Sequence, residues 1–185
     1  MTENYANFTD SASSLQAMQE AYEGIYSMRQ QFGVIPEGIF NRAAGSTGTQ
    51  FQPTSWLETA SNANGLGQAF EIKGYRNLVD GGVLPASQRP VFGKVFFTEL
   101  GDLECDVLVA FICVDFKFTR NANFNLDGPG KAAQAIIDNE VNQVFYAVSP
   151  TASVAPGPFQ DAVAQAAAGA KFGQNTLVII DAGNF

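Results

Sequence analysis

The run from Val91 to Arg120 limits what this chain can fold into more than any other stretch. It reads Val91-Phe92-Gly93-Lys94-Val95-Phe96-Phe97-Thr98, then Glu99-Leu100-Gly101-Asp102, then Leu103 to Thr119 with few polar breaks. β-Branched and aromatic residues dominate, and a Gly-Asp turn separates two apolar runs, which is the pattern of a β-hairpin. Side chains on a strand alternate between faces. Leu103, Cys105, Val107, Val109, Phe111 and Cys113 share one face, which turns polar at Asp115, Lys117 and Thr119. The other face starts polar at Glu104 and Asp106 and continues with Leu108, Ala110, Ile112, Val114, Phe116 and Phe118. The buried face therefore switches along the strand, and 107–114 is apolar on both sides. As one extended piece, 103–119 would run about 55 Å, against a usual strand of about 5–6 residues. Two readings account for this. One is a bulge or bend inside a single core; the other is a strand that leaves its own core to pack against a neighbouring subunit.

The same strand holds both cysteines. Cys105 and Cys113 would stand about 26 Å apart on a straight strand, too far for a disulfide, whose Cα atoms lie within about 7 Å. They are expected to be buried thiols in a chain made in the reducing cytoplasm. Met1-Thr2-Glu3-Asn4 lacks the basic start and apolar segment of a signal peptide, and no run approaches the ~18 apolar residues of a membrane span.

Composition bears on the surface. Charged residues make up only 15% of the chain, below the usual quarter, so the surface must be covered by small polar residues or by subunit contacts. Sixteen Phe against one Trp suits a sheet core or an oligomer seam. The net charge is −8 with basic residues scattered singly, which speaks against sequence-specific nucleic-acid binding and against an anionic membrane surface.

From about Asp10 to Phe32 the apolar residues Leu15, Met18, Tyr22, Ile25 and Phe32 form one stripe, the mark of an amphipathic helix. It either packs on the sheet or serves as an oligomerising arm. Residues 33–90 form a loop-rich contact region, in which 69–75 alternates like a strand and Asp80-Gly81-Gly82 marks a turn. After the hairpin, Asp127 can cap and Pro129 can occupy the first turn of a helix from about Gly130 to Val141. A strand follows at 144–148, an alanine-rich helix at 158–170, and an apolar closing strand at 176–181. The second half thus has the order β-β-α-β-α-β. The expected fold is α+β: a mainly antiparallel, sandwich-like sheet with the N-terminal amphipathic helix and two shorter helices packed on it. It forms a single domain over 1–185, with 1–32 as a possible helical arm.

Chemistry is thinly supplied. The chain has no histidine, which removes the commonest general base and transition-metal ligand and excludes Ser-His-Asp and Cys-His arrangements. Two cysteines cannot build a tetrahedral thiolate zinc site within one chain. Asp102, Glu104 and Asp106 project from one strand face and are candidates for a hard cation such as calcium. The competing reading is a solvated strand end whose like charges discourage edge pairing. Asp127-Gly128-Pro129-Gly130-Lys131 departs from the Walker spacing and lacks Ser or Thr after the lysine, so it reads as helix-start chemistry. Ser149 to Ser153 reads as a loop, and Asp181 at the end of the last strand has no base partner. No cofactor is expected.

The combination points to a non-enzymatic, self-assembling structural subunit, such as a capsid, decoration or tail-tube component of a virus or bacteriophage particle. Its partners would be copies of itself and other structural proteins. The expected assembly contacts are Leu15, Met18, Tyr22, Ile25, Phe32, Phe116, Phe118 and Phe185. The alternative is a soluble binding module that holds an apolar ligand in a Phe-lined pocket.

Overall fold

The structure is a computed structural model, and it describes residues 24, 30–32, 63–117, 126–148 and 157–183. The elements run in the order α1 (Ala63–Asp80), β1 (Val91–Thr98), β2 (Gly101–Val109), β3 (Ile112–Lys117), α2 (Gly128–Ile137), β4 (Gln143–Val148), α3 (Pro158–Gly169) and β5 (Leu177–Asp181). The strands form a single sheet in sequence order, β1-β2-β3-β4-β5.

The α+β class holds, but the sheet is mixed. β1–β2 and β2–β3 pair antiparallel, whereas β3–β4 and β4–β5 pair parallel. A strand that is followed by a crossover helix rejoins its sheet parallel, and α2 and α3 are such crossovers. The described residues show one sheet between helical layers, so the sandwich is not supported. α1 packs on one face, where Ile72, Tyr75 and Leu78 meet Leu84, Phe92, Val107, Val109, Val114, Phe116, Phe145 and Ala147. α2 and α3 cover the other face, where Ala132, Ala133, Ala135, Phe159 and Val163 meet Phe96, Leu103, Cys105, Cys113, Val144, Tyr146 and Leu177. β4 is buried on both sides, as a central parallel strand requires.

Residues 69–75 lie within α1, not in a strand. Ile72, Tyr75 and Leu78 recur at helical spacing and are 4%, 1% and 2% exposed. Gly74 lets the helix approach the sheet: a Cβ there would come within 2.5 Å of the Phe116 ring. Asn77 ties α1 to the end of β5 by donating from Nδ2 to the Ala182 carbonyl at 2.9 Å. Gly24 and residues 30–32 are helical, and Phe32 packs against the α1 side of the core. The rest of the expected N-terminal helix, with Leu15, Met18, Tyr22 and Ile25, lies outside the described residues.

The long strand at 103–119 is two strands. Ala110 and Phe111 have φ of 49° and 67°, and Val109 pairs with Ile112 across them. This two-residue reversal has positive φ at both central positions, as type I′ hairpins demand, yet it carries neither Gly nor Asn. The reversal brings the cysteines together. Cys105 and Cys113 are disulfide-bonded with Cα atoms 5.4 Å apart, so they are not free thiols.

The switch of buried face is real and lies inside the core. Leu103 and Cys105 face α2 and α3, whereas Val107 and Val109 face α1. The slip falls at Asp106. β1 slips at the same level: Phe92 faces α1, Phe96 faces the other helices, and Gly93 between them has φ 64°. Both strands bend together because register is held on either side, Phe92 opposite Val107 and Lys94 opposite Cys105. Val107, Val109, Cys113 and Val114 are fully buried within the chain itself. The chain itself covers these four positions, while Phe111 at the reversal stays 61% exposed.

Candidate functional site

The slip at Asp106 has a chemical consequence. The β2–β3 pairing joins only Val107–Val109 to Ile112–Val114. Beyond it, the Phe116 N–H donates to Asp106 Oδ2 at 2.7 Å, so a side-chain carboxylate replaces a backbone acceptor. Asp106 thereby stands near Asp115, close enough for each carboxyl to bear on the other's charge. Lys117 Nζ lies 2.6 Å from Asp115 Oδ1 and 5.9 Å from the centroid of the Tyr146 ring.

These groups line a cavity of about 220 Å³ together with Asp102, Leu103, Glu104, Gly128, Lys131 and Phe159. It sits at the carboxyl ends of β3 and β4 and beside the start of α2, the place where open sheets with parallel strands hold ligands. Asp115 and Tyr146 are register partners on adjacent parallel strands, which fixes their spacing on rigid elements. Tyr146 is 1% exposed, and its ring meets Phe159 edge-on at 5.0 Å. Its hydroxyl is buried and has no hydrogen-bond partner among the described residues. Leaving such a group unsatisfied costs about 1–3 kcal/mol. Gly128 leaves room beside it, since a Cβ there would stand 3.5 Å from the hydroxyl oxygen.

The electrostatics follow from crowding and burial. Burial, then the Asp115 carboxylate, push the Asp106 carboxyl up to about 7, with Glu104 adding to the rise and the Phe116 N–H and Lys117 opposing it. Burial also raises Asp115, although the Lys117 ammonium pulls against it. Burial, and then Asp115, hold the Tyr146 phenol well above its ordinary range. A dyad of this kind keeps one proton between two carboxyls near neutrality.

Of the cation candidates, Asp102, Glu104 and Asp106 all border the cavity, but among the described residues no three acidic or sulfur side chains are grouped to hold a metal ion. Sequence reasoning missed Asp115, Lys117, Tyr146 and Lys131 as members of one site. The available signal was the polar pair Asp115 and Lys117 on one face of an otherwise apolar strand. Of the Asp127–Lys131 segment, Gly128 and Lys131 reach the cavity, while Asp127 makes no side-chain cap. Asp181 caps a turn by accepting the Gly183 N–H at 2.7 Å. Ser149 to Ser153 lie outside the described residues.

The expected assembly residues divide differently. Phe116 is 8% exposed and belongs to the core, because Val114 and Phe116 share the face that α1 covers; Phe32 packs on that same cluster. Phe118 and Phe185 lie outside the described residues. Among the described residues the exposed large apolar side chains are instead Val83, Val91, Phe97, Leu100, Phe111, Leu126 and Ile137. No helix among the described residues is long and apolar enough to cross a membrane. No protein-family model, curated protein or solved structure matches this chain.

Proposed function

We propose that the chain is a self-assembling structural subunit, of the kind found in virus or bacteriophage particles, whose copies meet through the β1 edge of the sheet. The observation that carries this is β1 itself. It is an eight-residue edge strand, VFGKVFFT, that pairs with β2 alone among the described strands. An edge of this length presents a row of backbone donors and acceptors that pair readily with a second strand. Phe97 on β1 is 80% exposed and Leu100 in the following turn is 60% exposed, which gives the edge an apolar rim. Lys94 is the single charge along the strand. The Cys105–Cys113 bridge suits a particle that leaves the cell, since disulfides persist on virion surfaces and in other oxidising settings.

A second reading, a binding module with a Phe-lined apolar pocket, has less support. The cavity beside β3 and β4 is lined by four carboxylates and two lysines, with Phe159 and Leu103 as its apolar members. Light scattering coupled to size-exclusion chromatography tests the assembly reading. The wild-type protein at tens of micromolar is expected to run as an oligomer and Phe97→Asp as a smaller species. A wild-type monomer across that range overturns the proposal.

A further inference from the structure

The cavity at the carboxyl ends of β3 and β4 holds a second role that the assembly reading does not use. We infer that it is a binding site for a primary alkylammonium group, with the Tyr146 hydroxyl and the Asp106 and Asp115 carboxyls accepting its three hydrogens.

Four observations meet here. The Tyr146 hydroxyl lines the cavity, is buried, and lacks a partner among the described residues, and the strand residues on either side of it are buried as well. Gly128 keeps the space beside that hydroxyl open. The lining charges are Asp102, Glu104, Asp106 and Asp115 against Lys117 and Lys131, an excess of acid that favours a cation over an anion. Lys117 is already committed to Asp115 at 2.6 Å. An ammonium supplies three donors and no acceptor, which matches a wall of acceptors. Its alkyl stem finds Leu103 and Phe159 in the same lining. A bare metal ion fits less well, because no cluster of three acidic side chains is grouped for coordination among the described residues.

The ligand exchanges with a proton. Asp106 faces Glu104 and Asp102 from its own strand, Asp115 and Lys117 from β3, Tyr146 from β4 and Lys131 from α2. Its raised carboxyl reflects burial and the Asp115 charge, and an ammonium placed there takes over the neutralising part that the proton plays. Binding therefore strengthens as the pH rises through about 7.

The experiment is a titration of the intact protein followed by amide NMR, with n-butylamine as probe and butan-1-ol as its neutral counterpart. Saturable shifts at 102–106, 115–117 and 128–131 with butylamine are expected, and butanol should bind at least about tenfold more weakly, the scale of a charge-assisted hydrogen bond. Tyr146→Phe, which keeps the ring and its packing, should weaken butylamine by about tenfold. Below pH 7 the wild-type affinity should fall by up to about tenfold per pH unit, and Asp106→Asn, whose amide oxygen still accepts from Phe116, should flatten that dependence. A parallel titration with Nα-acetyl-lysinamide separates the two sources of the same group: tighter binding than butylamine assigns the site to a lysine side chain, weaker binding to a free amine. Absence of saturable butylamine binding, equal binding of butanol, or unchanged affinity in Tyr146→Phe overturns the inference. So does the same set of shifts produced by calcium and not by butylamine.

Discussion

Gly74→Ala measures how closely α1 sits on the sheet. In an exposed helix interior the substitution would stabilise by about 1 kcal/mol, the difference in helix propensity. Here the new Cβ would stand 2.5 Å from Phe116 Cε1 and 2.9 Å from Cδ1, well inside the ordinary carbon contact distance of about 3.5–4.0 Å and by about 1 Å or more at the nearer atom. Phe116 cannot swing clear, being 8% exposed and packed among Val114, Phe145 and Tyr75. Overpacking of this kind costs about 1–3 kcal/mol, and the depth of the clash places it in the upper half of that range. Subtracting the propensity gain leaves a net loss of about 1–2 kcal/mol. At this chain length the loss lowers Tm by roughly 2–8 °C. Gly169→Ala is the control, since nothing lies within 4 Å of its Cβ position; it should be neutral or stabilising by up to about 1 kcal/mol. Thermal unfolding followed by circular dichroism reads both. A Gly74→Ala protein as stable as wild type, or more so, would refute the close packing of α1 on Phe116.

Other expectations follow from the hairpin and the dyad. Thiol titration of the unreduced protein should find no free cysteine, and Cys105→Ala with Cys113→Ala should cost about 2–3 kcal/mol in a urea melt, the closure entropy of so short a loop. Ala110→Asn with Phe111→Gly should stabilise by about 1 kcal/mol, because both residues hold positive φ that L side chains with a bulky Cβ resist; a destabilised variant would speak against the reversal at 110–111. The folded-state carboxyl of Asp106 sits at about 7 against 3.8 in the unfolded chain, so the folded state binds its proton more tightly. The stability it contributes is complete below about pH 4 and is lost as the pH climbs to about 7. Asp115 acts in the same direction. Denaturation midpoints between pH 4 and 7 should therefore fall with rising pH in wild type and less steeply in Asp106→Asn.

Much of the second half was legible in the sequence because local and tertiary preferences agree there. The helix from Pro158, the alanine-rich helix face at Ala132 and Ala133, and the apolar strands at 143–148 and 177–181 all stand where their periodicity puts them. The parallel half of the sheet was implicit in the same order, since strands separated by helices cross over parallel; weight given to the leading hairpin hid it. The turn at Ala110–Phe111 was illegible for a physical reason. Type I′ reversals are marked by Gly, Asn or Asp, and here two residues with none of those properties accept the unfavourable φ, stabilised by the strands and the disulfide on either side. Missing that turn stretched one strand to 103–119, separated the cysteines, and made 107–114 look too apolar for one subunit to cover. In α1, Phe70, Ile72 and Gly74-Tyr75 mimic strand alternation over a short window, and only the longer recurrence of Ile72, Tyr75 and Leu78 reveals the helix. The candidate site could be half seen. Asp102, Glu104 and Asp106 stand together in sequence, but Asp115, Lys117, Tyr146 and Lys131 join them through a reversal, a crossover and a strand slip that no spacing rule encodes.

Hydrogen exchange along β1 tests the proposed assembly most directly. Amides of Val91–Thr98 that point away from β2 have no partner strand among the described residues, so exchange there should slow markedly as the protein concentration rises from low to high micromolar. The same amides should stay fast in Phe97→Asp. Exchange at this edge that is independent of concentration would contradict a subunit built to join its copies there.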